Sequence, residues 1–342
     1  MRRIYRLVFA TWLVVGLALA PGGGLLAAPK SARADSDAWS EKAPLLTARS
    51  EMAINTLNGR IYALGGYPGT RITTTEVQVY DSQTDSWTLG PSLPQPLHHA
   101  MTAVVDGRLY LFGGEAGNPS NANAFQNGVY VLDEQAGAWV PRASMPTPRS
   151  GGGAGVIDGK VYVAGGRPPH GADFAVYDPV ADNWAVLPNV PTQRNHLGVG
   201  AINGELYVAG GRFGGGVGSE MTDILEIYDP GTNAWTSGAS MLAPRAGVAS
   251  TVANGCLYLI GGEGNTADPR GIFDRNELYD PGTDSWRSLD PLPTPMHGLT
   301  GAAFLDSWIH VPGGATHAGV SGDDVTTAHQ VFRVDQTCGP AS

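Results

Sequence analysis

The chain has 342 residues, with 31 acidic against 21 basic side chains, a formal net charge of −10, 48 glycines, 25 prolines and two cysteines. An acidic balance of this kind gives no general electrostatic pull toward nucleic acid or an anionic membrane surface. What remains is a chain whose glycine content has to be explained by its architecture.

Residues 1–34 open with Arg2, Arg3 and Arg6, continue through the apolar run Leu7 to Ala20 and end on Ala32-Arg33-Ala34. This is the order of a secretory signal, with a basic start, a short apolar segment and a small-x-small cleavage site. The run is shorter than the roughly 20 residues that span a bilayer. Export to a secreted or periplasmic location with cleavage after Ala34 is the expectation, and an uncleaved N-terminal anchor is its rival. Cleavage would remove five of the 21 basic residues and no acidic ones, leaving 16 against 31, a net of −15. Residues 35–342 are expected to form a single domain with no stable membrane insertion.

After an isolated Trp39 and the segment Pro44 to Arg49, a pattern begins that recurs six times. A tight-turn dipeptide (Asn58-Gly59, Asp106-Gly107, Asp158-Gly159, Asn203-Gly204, Asn254-Gly255, Asp306-Ser307) sits between alternating apolar stretches. Such dipeptides supply the positive φ angles of a two-residue hairpin. Each hairpin closes on a glycine pair: Gly65-Gly66, Gly113-Gly114, Gly165-Gly166, Gly210-Gly211, Gly261-Gly262 and Gly313-Gly314. A variable loop follows, then a third strand ending in Tyr, a turn and a Trp at constant spacing, as in Tyr80 to Trp87 and Tyr177 to Trp184. Leu132 replaces the Tyr in the second unit. A period near 50 residues means one supersecondary unit repeated in an array.

This hairpin, double glycine, Tyr and Trp resemble the kelch repeat over residues 39–335. The resemblance implies an all-β, six-bladed β-propeller of four-stranded antiparallel blades. The sixth unit reaches its third strand at Val331 to Val334 and has no Trp of its own, so the N-terminal strand carrying Trp39 is expected to complete that blade and close the ring.

Residues at equal offsets in a ring stand at equal height and radius. Sixteen before each first glycine come Arg49, Leu97, Arg149, Arg194, Arg245 and His297, and just after each pair come Tyr67, Glu115, Arg167, Arg212, Glu263 and Ala315. The expectation is a polar funnel at the entrance of the innermost strands, in which Arg49, Arg149, Arg194, Arg245, His297, Arg167 and Arg212 bind a carboxylate or other small anion. The competing reading is that each Arg satisfies loop carbonyls or a neighbouring carboxylate. His98-His99 are expected on a strand, pointing to opposite faces. His310 replaces the Tyr of the other hairpins, and His317, Asp323, Asp324 and His329 share no recognised ligand spacing, so neither a metal site nor a cofactor is expected. Cys256 and Cys338 either pair or stay free thiols.

Two function classes follow from the resemblance. The first is a noncatalytic exported binding module that recognises a protein segment, a glycan or a small anion on its axial loop face, as kelch adaptors hold acidic peptides. The second resembles the sialic acid mutarotase propellers, with Glu115 or Glu263 as acid/base and the arginines as a carboxylate clamp. A galactose oxidase-type copper site has no counterpart around either cysteine.

Overall fold

The computed structural model describes residues 38–70, 72–117, 124–216, 218–319 and 324–339. The expected signal, residues 1–34, lies outside the described residues, as does Asp323.

All six turn dipeptides have positive φ at both residues, from Asn58 at 49° and Gly59 at 72° to Asp306 at 51° and Ser307 at 66°. That geometry matches the twist of the strands that each turn joins. Blade 1 comprises Ala53–Leu57, Arg60–Leu64, Val77–Asp81 and Ser86–Leu89, paired antiparallel in chain order. Blade 2 (Met101–Val105 to Ala138–Arg142), blade 3 (Gly153–Ile157 to Asn183–Val186), blade 4 (Gly198–Ile202 to Ala234–Ser237) and blade 5 (Ala249–Ala253 to Ser285–Ser288) repeat it. Blade 6 takes Ala303–Leu305, Trp308–Pro312 and His329–Arg333 from the end of the chain and its outer strand, Trp39–Lys42, from the beginning. The result is an all-β, six-bladed propeller closed by the N-terminal strand, with no helix among the described residues.

The core lies between adjacent blades. Phe174 of blade 3, for example, packs edge-on against Tyr228 of blade 4 at 4.7 Å between ring centroids. The recurrent Trp fastens each blade to the one before it. Its indole N–H donates to a carbonyl just past the outer strand of the preceding blade: Trp87 to Ala43, Trp139 to Pro91, Trp184 to Ala143, Trp235 to Pro188 and Trp286 to Ala239, all at 2.8–3.0 Å. Trp39 makes the same bond, to Asp290 at 2.8 Å, so it is the missing Trp of the sixth repeat. The recurrent Tyr joins this clamp. Tyr80, Tyr177 and Tyr279 donate to Asp85, Asp182 and Asp284, whose same oxygens accept the N–H of Ala43, Ala143 and Ala239.

The double glycine serves close approach. A Cβ on Gly65 would collide with the carbonyl oxygen of Leu97, and one on Gly113 with that of Arg149. A disulfide joins Cys256 on the second strand of blade 5 to Cys338 in the C-terminal tail, with Cα atoms 5.2 Å apart. It ties the tail that follows blade 6 back onto blade 5.

Candidate functional site

The arginines expected to ring the axis do something else. Arg49, Arg149, Arg194 and Arg245 are at most 1% exposed. Each bridges two blades through both its ends. The carbonyls of Arg49, Arg149, Arg194 and Arg245 accept from the second glycine of the preceding repeat, Gly314, Gly114, Gly166 and Gly211. Their guanidiniums turn into their own blade. Arg49 donates to Gly65 O and Glu76 O, Arg149 to Val163 O and Asp173 O, and Arg194 to Val208 O and the Glu226 carboxylate. Arg245 donates to Gly261 O, Leu259 O and the Glu277 carboxylate at 2.7 Å. Burial lowers Arg49 and Arg149 to about 10, with Glu76 and Asp173 opposing, so both remain cationic at neutral pH. These side chains are engaged by backbone carbonyls and, in Arg194 and Arg245, by carboxylates of their own blades, which is the arrangement of the competing reading.

The place expected for His297 requires correction. In blade 6 the carbonyl that accepts from Gly262 belongs to Met296, and His297 pairs with Ala315 as Ser50 does with Tyr67, His98 with Glu115 and Asn195 with Arg212. The stretch from this carbonyl to the hairpin turn is one residue longer in blade 6, from 296 to 305 where blade 1 runs from 49 to 57. A fixed count of sixteen therefore misplaces His297 by one position, away from the arginines and toward the axis.

One residue further on, the chain of every blade turns through the left-handed region, at Glu51 (φ 56°), His99 (53°), Gly151 (68°), His196 (57°), Gly247 (62°) and Gly298 (75°). Their backbones form a closed circle of hydrogen bonds. His99 N donates to Glu51 O, Gly151 to His99, His196 to Gly151, Gly247 to His196, Gly298 to Gly247 and Glu51 to Gly298, at 2.5–3.1 Å. Three members are glycine, which takes this conformation at no steric cost. The other three place Glu51, His99 and His196 beside the axis. His98 and His99 thus stand in a turn before the strand that starts at Met101, and their two Nδ1 atoms meet. The strand geometry expected for this pair is corrected by that turn.

A buried polar cluster results. Glu51 Oε2 lies 3.0 Å from His99 Nε2, which is 2.9 Å from His196 Nε2. Tyr67 O–H meets His98 Nε2 at 2.6 Å. Arg212 reaches His196 at 2.9 Å and pairs with Glu263, while Arg167 reaches His99 at 3.2 Å and lies 3.7 Å from Glu115. Asn195 accepts from His196 Nδ1 at 2.6 Å and donates to Gly214 O, and Arg167 donates to Gly215 O, so the glycine-rich loop of blade 4 rests on the cluster. Glu51, His98, His99, Glu115, His196, Arg212, Glu263 and His297 are all between 1% and 7% exposed.

Burial lowers His98 to about 2, with His99 adding to the effect. His99 is lowered by burial against the pull of Glu51, and His196 is held well below its ordinary value by burial and then by Arg212. Burial works to raise the Glu51 carboxyl, but His99, His297 and Arg167 outweigh it and hold it below the ordinary carboxylate range. Beyond the circle the innermost strands line an axial channel of about 270 Å³ with Thr102, Ser250, Thr251 and Thr300 among aliphatic residues such as Ile54 and Leu197 and small ones; no cluster side chain lines it.

Of the expected site residues, Glu115, Arg167, Arg212, Glu263 and His297 belong to this cluster, together with Tyr67. Sequence reasoning missed Glu51, Asn195 and His196. The available signal was the interruption of the Gly151 and Gly247 series by non-glycine residues at the same offset. Of the remaining histidines, His317 pairs with Asp324 at 3.1 Å on the loop of blade 6. His329 lies in a strand and contacts His310 at 2.9 Å.

A model of the KLHDC2/KLHL20/DRC7 Kelch-repeats domain matches residues 31–211, and the Kelch motif matches residues 193–242 and 244–293. The chain belongs to the kelch-repeat family. It is 30% identical over 305 residues to the Kelch-like protein terF of Aspergillus terreus, covering 86% of this chain and 55% of that one. It is 27% identical over 267 residues to human Kelch-like protein 23, covering 77% and 37%, and 25% identical over 263 residues to alpha-scruin of Limulus polyphemus, covering 76% and 24%. This kelch chain thus spans about half or less of the length of these relatives. Among solved structures, that of YjhT superposes with a TM-score of 0.70 at 18% identity, covering 87% of this chain and 99% of that one, a likeness of fold.

Proposed function

We propose that this kelch propeller is an exported, noncatalytic binding module whose axial loop face holds a segment of a partner protein. The observation that carries this reading is that the charges near the axis are spent on one another. Four arginines are bonded to backbone carbonyls, Arg212 is paired with Glu263, and Arg167 is shared between Glu115 and His99. A small carboxylate would have to break buried pairs to enter, which costs several kcal/mol for each pair. Around this closed centre, loops of unequal length and composition occupy the same face, and variable loops on a rigid scaffold are where recognition usually resides. Ile72, 72% exposed, lies on the blade 1 loop, and the Gly214–Gly216 loop lies on blade 4. Kelch domains generally bind protein partners, which supports the same class. Export is supported by the order of residues 1–34 and by the Cys256–Cys338 disulfide, a bond that persists in oxidising compartments.

A mutarotase-type activity would need Glu115 or Glu263 open to a sugar, and these are 2% and 1% exposed. The test is quantitative capture of partners from the extracytoplasmic fraction by the wild-type chain and by Ile72→Asp. A specific protein retained by the wild type and released at least tenfold faster by the variant supports the module. Stabilisation by an acidic sugar with no retained protein would favour the enzyme.

A further inference from the structure

We propose that Glu51, His99 and His196 form a binding site for a divalent transition-metal ion on the propeller axis. The proposal goes beyond partner binding and does not depend on it. The ligand atoms of the three side chains lie within 4.8 Å of one another, and all three residues are buried. In a tetrahedral zinc site with bonds of 2.0–2.2 Å the ligand atoms stand about 3.4 Å apart. Glu51 Oε2 to His99 Nε2 is 3.0 Å and His99 Nε2 to His196 Nε2 is 2.9 Å, so these two contacts have to open by about half an ångström to reach the spacing of such a site.

Three independent features favour a cation here. The first is backbone strain accepted for convergence. Every blade has a left-handed residue in the hydrogen-bonded circle, glycine in three blades, and the three that carry side chains are these ligands. For non-glycine residues this conformation costs of order 1–3 kcal/mol each, and a joint role at the axis accounts for where it is tolerated.

The second is orientation. His196 Nδ1 is held by the Asn195 carbonyl at 2.6 Å, and His99 Nδ1 by His98, which is itself held by the Tyr67 hydroxyl at 2.6 Å. Fixing one ring nitrogen through a partner directs the other, here Nε2 in both residues, toward a metal. The third is charge. The cluster holds three carboxylates, Glu51, Glu115 and Glu263, against two guanidiniums, Arg167 and Arg212, leaving one negative charge in a buried space when the imidazoles are neutral. In the same cluster Glu263 Oε2 and His297 Nδ1 have no hydrogen-bond partner.

Arg212 and Arg167 donate toward the same Nε2 atoms that would bind the ion. Each has a carboxylate of its own, Glu263 and Glu115, and stays paired when the ion takes the imidazole lone pairs. Two imidazoles and one carboxylate suit Zn²⁺ and similar ions, and not Mg²⁺ or Ca²⁺, which prefer oxygen ligands.

The experiment titrates the tag-free full chain, stripped with chelator, with Zn²⁺ by calorimetry, with Mg²⁺ as control, and records the Co²⁺ absorption spectrum and its X-ray absorption edge. One Zn²⁺ per chain is expected, with imidazole scattering at the edge. Affinity should fall at least about tenfold in Glu51→Gln and in His196→Asn, since even an outer-shell partner is worth that much. His317→Ala, at the exposed His317–Asp324 pair, should leave it unchanged. No stoichiometric Zn²⁺ in the wild type, an all-oxygen coordination shell, binding that survives both axial variants, or binding abolished by His317→Ala would overturn the proposal. The wild-type titration and spectra decide the matter even if an axial variant does not fold.

Discussion

Two sets of arginines in this propeller stand eighteen residues apart in the repeat, as Arg149 and Arg167 do, and behave oppositely. Arg49, Arg149, Arg194 and Arg245, before the innermost strands, are spent on carbonyls and carboxylates of their own blades, and their surroundings are nearly the same each time. Arg167 and Arg212, just after the glycine pairs, project into an axial cluster whose members differ from blade to blade. The lesson is physical. A residue repeated at one offset meets the same backbone in each blade and serves it, whereas residues that vary at one offset meet one another across the axis.

The comparison can be broken most severely at the seam. Deleting residues 39–48 removes the outer strand of blade 6, the Trp39 clamp onto Asp290 and the Ala43 peptide held by Trp87 and Asp85. The expected outcome is loss of the cooperative thermal transition of the whole ring by circular dichroism. A variant that melts normally with only one frayed blade would show that closure is dispensable.

Arg245→Ala should be next in size. It removes one of the two guanidiniums paired with the buried Glu277, leaving Arg275 at 3.2 Å, and breaking a buried pair costs up to about 3–5 kcal/mol. Chemical denaturation measures it, and the double substitution Arg245→Met with Glu277→Leu should recover only the share due to the buried carboxylate, since the carbonyls of Gly261 and Leu259 still lack their donor. If Arg245→Ala proved neutral, the latch reading of this set would fail.

Reducing the Cys256–Cys338 bond, which closes a loop with a sequence separation of 82, should lower stability by about 2–4 kcal/mol, read as the shift in denaturation midpoint between oxidised and reduced protein. An unchanged midpoint would mean that the tail adds nothing to closure.

The smallest effect concerns pH. Burial lowers His310 to about 4 and His329 to about 3, and His329 Nδ1 faces the carbonyl of Ala43 at the seam. Lys42 further lowers both, while Asp85 and Asp306 raise His310 and Asp85 raises His329. The unfolded chain then binds more protons than the native one between these values and about 6.5. Stability from this pair is complete above about pH 6.5 and falls as the pH drops toward 4. His310→Tyr, which restores the residue found in the other five hairpins, should flatten that slope in melts recorded across the range; an unchanged slope would assign it to other groups.

Much of the architecture was legible in the residues. Tight-turn dipeptides, glycine pairs and the Tyr to Trp spacing act over a few residues, so their meaning is local, and six copies in phase leave a ring of six blades as their common solution. Even the place of Trp39 followed, because a repeat lacking its Trp and a Trp lacking its repeat complete each other. The site was legible only in part. Glu115, Arg167, Arg212 and Glu263 were found because they follow a motif at a fixed distance. His297 was counted one position out, since the extra residue in blade 6 changes the register without changing the motif. Glu51 and His196 were missed, because nothing near them in the chain announces that a left-handed turn aims them at the axis. The sequence by itself determined the blade, its number and its closure, through short-range turn chemistry and repeated packing. Which charged groups become latches and which meet at the centre was decided only when six blades closed, because those partners lie tens of residues apart and come within 3 Å through the tertiary structure alone.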